Sequence, residues 1–167
     1  MSPVRPDLIE AWVFRVPAHS SPEYLIIRRA EDRIFPGLWQ PVTGGLGQGE
    51  TVPTAVLREI QEETGITGDA IEGFFDLDQV GSFYAEDLDA IVNSVIFAAR
   101  VSAGDQPRLS SEHVDFAWVG HDEAARRSVW PPYRASLDLI ERIVVDASLA
   151  RWFELDRDGR RLARPPR

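Results

Sequence analysis

Apolar and polar positions alternate along this chain in segments short enough to be named one by one. Leu8 to Val16 (LIEAWVFRV) and Tyr24 to Arg28 (YLIIR) are rich in β-branched and aromatic residues and read as two strands joined by a turn across Pro17 to Pro22. Phe35-Pro36-Gly37 marks a loop leading to Trp39, and residues 43–49 hold four glycines in seven, so the backbone bends tightly there. A helix opens at Glu50 or Thr51, tolerates Pro53 in its first turn and stops at Gly65. Val56, Leu57 and Ile60 give it an apolar stripe. Residues 71–84 carry two aromatic patches, Phe74-Phe75 and Phe83-Tyr84, and read as one or two strands. Ile91 to Val101 reads as a further strand, and Pro107 to Ser111 as a loop. Val114 to Val119 reads as a strand with Val114, Phe116 and Trp118 on one face. His121 to Arg127 reads as a short helix started by Asp122 or Glu123. In Pro132 to Asp146 the apolar residues at 137, 140, 143 and 144 follow a helical period. Strands flanking two main helices predict an α/β layered domain.

Composition narrows the functional classes. A chain of 167 residues suffices for one domain with a proper core. Without cysteine there are no disulfides, thiolate zinc sites or cysteine nucleophiles, and three scattered histidines make no zinc cluster. No apolar run approaches the ~20 residues needed to cross a bilayer. Met1-Ser2-Pro3 starts no signal peptide, so a cytoplasmic protein is the default expectation. The net charge of −9 argues against nucleic-acid and membrane-surface partners. All 18 cationic residues are arginine, which excludes lysine Schiff-base chemistry and leaves guanidinium groups suited to phosphate oxygens.

The densest chemistry lies in Gly44 to Ile66 (GGLGQGETVPTAVLREIQEETGI). Glu59, Glu62 and Glu63 stand at i, i+3 and i+4, within an arc of about 100° on one helix face. Like charges so close destabilise a bare helix. A hard, oxygen-preferring divalent cation removes that penalty, and Mg²⁺ commonly takes a few carboxylates together with water and phosphate.

This stretch resembles the Nudix box, with Gly44, Glu50, Arg58, Glu59, Ile60, Glu62, Glu63, Gly65 and Ile66 filling its fixed positions. Trp39-Gln40-Pro41-Val42-Thr43-Gly44 and Glu112-His113-Val114-Asp115-Phe116-Ala117-Trp118, continued by Trp130, Leu137 and Ile140, are similar to segments of the bacterial dihydroneopterin triphosphate pyrophosphohydrolases, a Nudix subgroup. The likeness spans roughly residues 8–146. Two positions depart from the common pattern: Val42-Thr43-Gly44 replaces Pro-Gly-Gly, and Gly47 stands where a Glu is frequent.

The resemblance implies a Nudix α/β/α sandwich with a mixed central sheet over residues 1–147, followed by a basic segment, 148–167, with six Arg against three acids. That segment is either a frayed tail or, through Trp152, Phe153 and Leu155, packed on the domain or on a partner subunit in a homodimer. The resemblance further implies Mg²⁺, with Mn²⁺ as a substitute, and hydrolysis of a diphosphate linkage in a nucleoside-triphosphate-like or pterin triphosphate. Alternatives are ADP-ribose, a nucleotide sugar or a dinucleoside polyphosphate as substrate, or a nucleotide sensor without catalysis. Glu59 and Glu63 would bind metal, Glu62 would be a further ligand or position water, and the Gly44 carbonyl would add an oxygen. Arg58 would orient a carboxylate, and Glu112 would serve as the base and as a metal-site acid, with Glu86, Asp87 and Asp89 as rivals. His113 would point away from Glu112 by strand alternation. Arg28 or Arg29 would reach phosphate, Phe35 and Trp39 would stack on a flat ring, and Trp118 and Trp130 would be structural.

Overall fold

The structure, a computed structural model, describes residues 4–163, so Met1-Ser2-Pro3 and Arg164-Pro165-Pro166-Arg167 lie outside the described residues. Seven strands form one mixed sheet: β1 (Leu8–Arg15), β2 (Glu23–Arg29), β3 (Trp39–Gln40), β4 (Val42–Gly45), β5 (Ile71–Ala85), β6 (Ala90–Val101) and β7 (His113–Val119). The central path runs β3-β2-β1-β6-β5; β1 and β6 are parallel and every other pairing is antiparallel. Residues 71–85 form one strand, paired with β6 along its length with an irregularity between Asp76 and Gln79.

Strand β1 forks. Leu8 to Ala11 pair with β4, whereas Phe14 and Arg15 pair with β2. β4, with its glycines, therefore leaves the sheet on one side of Trp12 while β2 and β7 leave on the other. Alternation along β1 sends Ile9, Ala11 and Val13 into one core and Trp12 and Phe14 into the other.

The first core is covered by α1 (Val52–Thr64), which buries Ala55, Val56 and Ile60. Each aliphatic side chain so buried contributes ~1.5–3 kcal/mol. Thr51 caps the helix by accepting from the Thr54 amide, and Gly65 ends it in the left-handed conformation (φ 70°) that favours glycine. The second core is covered by α2 (His121–Arg127) and α3 (Pro132–Val145), with Leu137, Ile140 and Ile143 turned inward. Tyr133 meets Trp12 edge-on at 5.5 Å between ring centroids. Helices on both faces of a mixed sheet make this an α/β/α sandwich. Among the described residues, no helix is long and apolar enough to cross a membrane.

One local expectation needs correction. Val114 does not share a buried face with Phe116 and Trp118; it is exposed. Arg28 pairs with Asp115 and Arg29 with His113, so a bulge skips Val114 and breaks the alternation. Trp130 is exposed and meets Phe35 edge-on at 5.7 Å.

Residues 148–163 lie against the domain. After the short helix α4 (Ala147–Ala150), the Asp76 amide donates to Phe153 O (3.0 Å) and the Leu155 amide to Phe74 O (2.8 Å). Leu155 enters the first core, Phe153 packs on the second, and Arg161 pairs with Asp76 at 2.7 Å.

Candidate active site

Glycine at 44 is required by what lies above it. A Cβ there would sit 2.0 Å from the Glu59 carboxyl carbon, so only a bare backbone lets Glu59 pack onto β4. The helix period that buries Ile60 keeps Glu59 and Glu63, one turn apart, facing the strand.

Arg58 organises the acids around it. Its Nε and Nη2 donate to the two oxygens of Glu50 at 2.9 and 3.0 Å, and Nη2 also donates to Gly45 O at 2.9 Å. Its Nη1 donates to Glu59 (2.7 Å) and to Glu62 (2.9 Å). A planar guanidinium suits such paired bonds, and here it ties the glycine-rich loop to the helix. Sequence reasoning had Arg58 orienting one carboxylate; it holds three. Arg58 and the Gly47 amide together hold the Glu50 carboxyl down to about 2. Gly47, at the departure from the common pattern, thus contributes its N–H (2.9 Å to Glu50) where a Glu would contribute a carboxylate.

Glu63 has the opposite environment. It is 6% exposed, and its Oε2 has no hydrogen-bond partner. Burial, then the charges of Glu59 and Glu112, push its carboxyl up to about 8, against a backbone N–H from Thr43 and the charge of Arg29. Glu59 is also raised, by burial first, in spite of its Arg58 bond. Two acids near each other, both costly to ionise, mark a place where a cation would lower the energy. Hard carboxylate oxygens, an orphaned buried oxygen and a glycine cradle fit a divalent ion. Among the described residues no three acidic or imidazole groups converge into a closed cage, so an ion here would complete its shell with water or substrate oxygens.

Glu112 precedes β7, and its carbonyl accepts from the Ala30 amide at 2.9 Å. Its carboxylate is half exposed and lies 3.5 Å from Arg33. Arg33 was missed by sequence reasoning, because nothing in its spacing marks it; the 30–38 loop folding back on Glu112 brings it in. The neighbouring His113 is buried, with both ring nitrogens unpartnered. Burial, then the charge of Arg29, lower it to about 4, so its ring is neutral near neutral pH.

The remaining sequence candidates fall into two groups. Arg29 acts on Glu63 and His113 through its charge, and its Nε donates to Ile34 O at 2.6 Å. Arg28 turns to Glu31 at 3.6 Å instead. Trp39 is partly buried beneath the Arg127 guanidinium, 5.1 Å from its ring centroid. Phe35, 57% exposed and in a left-handed conformation (φ 56°), pairs with Trp130. Glu86, Asp87 and Asp89 lie on the turn between β5 and β6, and among the described residues no ion pair or hydrogen bond links them to α1.

Comparison with known proteins agrees with this geometry. A sequence model of the NUDIX domain matches residues 10–140. The chain is 32% identical over 121 residues to the nucleoside triphosphatase NudI of Escherichia fergusonii, covering 70% of this chain and 86% of that one. Its fold is similar to that of the E. coli dihydroneopterin triphosphate pyrophosphohydrolase, with a TM-score of 0.68 at 24% identity over 81% of this chain and 94% of that one. It is also similar to a C. elegans Ap4A hydrolase, with a TM-score of 0.71 at 19% identity over 83% of this chain and 96% of that one. The match to the NUDIX domain over 131 residues, together with the likeness to NudI over most of both chains, shows that the chain belongs to the Nudix hydrolase family.

Proposed function

We propose that the chain is a Mg²⁺-dependent pyrophosphohydrolase acting on a nucleoside-triphosphate-like or pterin triphosphate substrate. The observation that carries this reading is the buried Glu63 carboxylate, with an unpartnered oxygen beside Glu59 and within reach of the Glu112 charge. Glu59 and Glu63 would hold the ion, with the Gly44 carbonyl and Glu62 as further oxygens. A divalent ion bound there supplies positive charge to the phosphoryl oxygens as negative charge develops on them.

The chain's own groups do the rest. Arg58 keeps Glu59 and Glu62 aimed and costs no reorganisation during the reaction. Glu112 accepts the proton of the attacking water as the water oxygen bonds to phosphorus and the anhydride P–O bond breaks. Arg33 steadies the Glu112 carboxylate. Arg29 takes a phosphate oxygen from the opposite side, and the exposed Phe35 offers an apolar surface to a flat ring. Arg28, committed to Glu31, serves only after a side-chain rotation. NudI is named a nucleoside triphosphatase, and its likeness over most of both chains supports a triphosphate.

A panel of nucleoside triphosphates, a pterin triphosphate, ADP-ribose and dinucleoside polyphosphates, assayed with product identification, tests the reading. Turnover of a triphosphate that requires Mg²⁺ or Mn²⁺ is expected. Turnover confined to ADP-ribose or dinucleoside polyphosphates would reject the substrate assignment. Glu112→Gln is expected to lower kcat by roughly 10²-fold with little change in KM. An unchanged kcat would remove Glu112 from the proton transfer.

A further inference from the structure

Strand β5 is an edge of the sheet, and its outer side changes character along its length. At Phe74 to Asp76 it is covered by the 153–155 segment. From Gln79 to Ala85 (QVGSFYA), no described strand pairs with the outer side. This stretch is not protected as free edges usually are: it contains no charge and no proline. Its apolar side chains face water, with Val80 70% and Tyr84 60% exposed, alongside Phe83 and, across the hairpin, Ile91. On a chain of net charge −9, a neutral strand edge is where a second copy can approach with least repulsion.

We propose that the chain forms a two-fold dimer by antiparallel pairing of Gln79–Ala85 with the same segment of a second copy. Three features of the sequence fit this arrangement. Laid antiparallel on itself, the free stretch centres on Ser82. Val80 then faces Tyr84 of the second copy, a β-branched residue against an aromatic, and Phe83 faces Gly81. Beyond the paired stretch, the acidic turn residues Glu86 and Asp87 of the second copy reach the level of Asp78 and Leu77. Arg151 and the exposed Trp152 immediately precede the segment docked at that end of β5. Among the described residues Arg151 has no carboxylate within ion-pair distance; its guanidinium rests over the Trp152 ring at 4.8 Å. The dimer assigns it to offset Asp78 and the incoming acids. A seven-residue edge makes a small interface, so the dimer is concentration-dependent.

Light scattering across a concentration series tests the proposal, as the mass should rise from 18.7 kDa towards twice that value. Ser82 is exposed and lies on the two-fold axis, so Ser82→Lys and Ser82→Glu each set like charges against each other. Each variant alone is expected to dimerise at least about tenfold more weakly than the parent. An equimolar mixture of the two should recover the dimer. Backbone amide exchange of residues 79–85 in the unmodified chain should slow as concentration rises. A parent chain monomeric at high micromolar concentration would overturn the proposal. So would Ser82 variants that dimerise as well as the parent, or a dimer that leaves exchange at 79–85 unchanged.

Discussion

Two ionisable clusters sit on opposite faces of the sheet, and they solve the same problem differently. Where α2 meets α3, the His121 ring lies between two carboxylates, Nδ1 at 3.0 Å from Asp122 and Nε2 at 2.6 Å from Asp138. Burial lowers the affinity of that ring for a proton, but the two carboxylate bonds outweigh it and the pKa is raised. The chain supplies its own cation there, and the cluster is complete. On the α1 face, Arg58 is spent on Glu50, Glu59 and Glu62, and no side-chain cation pairs with Glu63 among the described residues. One cluster is a clasp; the other lacks a positive charge that must come from outside. A count of acidic residues would not separate them, whereas partners and burial do.

The sharpest way to break this contrast is Glu63→Gln. It removes the negative charge and keeps the shape. Activity should fall by roughly 10³-fold while the fold, followed by circular dichroism, is retained. Unchanged turnover in the folded variant would refute the role given to the unpartnered carboxylate. Next in size is Gly44→Ala. The added methyl displaces Glu59, and a misplacement on the order of 1 Å costs about 10²-fold in kcat. Retained activity would show that the Glu59 position on β4 is dispensable.

The smallest effect, and the most direct comparison, is the pH dependence of stability without metal, measured by denaturant titration. Glu63 has a folded value of about 8 against about 4.5 when unfolded. The folded state therefore keeps a proton that the unfolded state loses, and stability falls as pH rises between those values. Added Mg²⁺ should restore stability at the alkaline end, and Glu63→Gln should abolish both the slope and the Mg²⁺ effect. His121 titrates as well. Its raised value gives stability that is complete below about 6.5 and lost as pH rises through the folded value. His121→Gln should cost up to about 1 kcal/mol on the acid side and nothing at alkaline pH, with no response to Mg²⁺. A Mg²⁺ response from the His121 cluster would erase the distinction between the two faces.

Much of this was readable from spacing. Glu59, Glu62 and Glu63 share a face because the helix repeats every 3.6 residues, and Val56 and Ile60 show which neighbouring face is buried. Pro53, Gly65 and Thr51 marked the helix ends for reasons that act over one turn. Strand alternation served equally well until the bulge at Val114, which leaves that residue exposed instead of on one face with Phe116 and Trp118. No local signal marks that residue as a bulge, because the misfit belongs to the pairing of β2 with β7. Arg33 reached Glu112 through a loop closure of the same non-local kind. The 148–163 segment left two readings open in sequence, since Phe153 and Leu155 needed an edge and a core to meet before they could be placed.

The order of residues by itself settled the α/β class and the helix that carries the acids, since each depends on contacts within a turn or on a short fixed spacing. Only the folded chain decided how the charges are shared out: Arg58 to three carboxylates, Arg33 to Glu112, and none to the buried oxygen of Glu63. The physical reason is that burial and long-range pairing set the cost of a charge, and both arise between segments far apart in the chain.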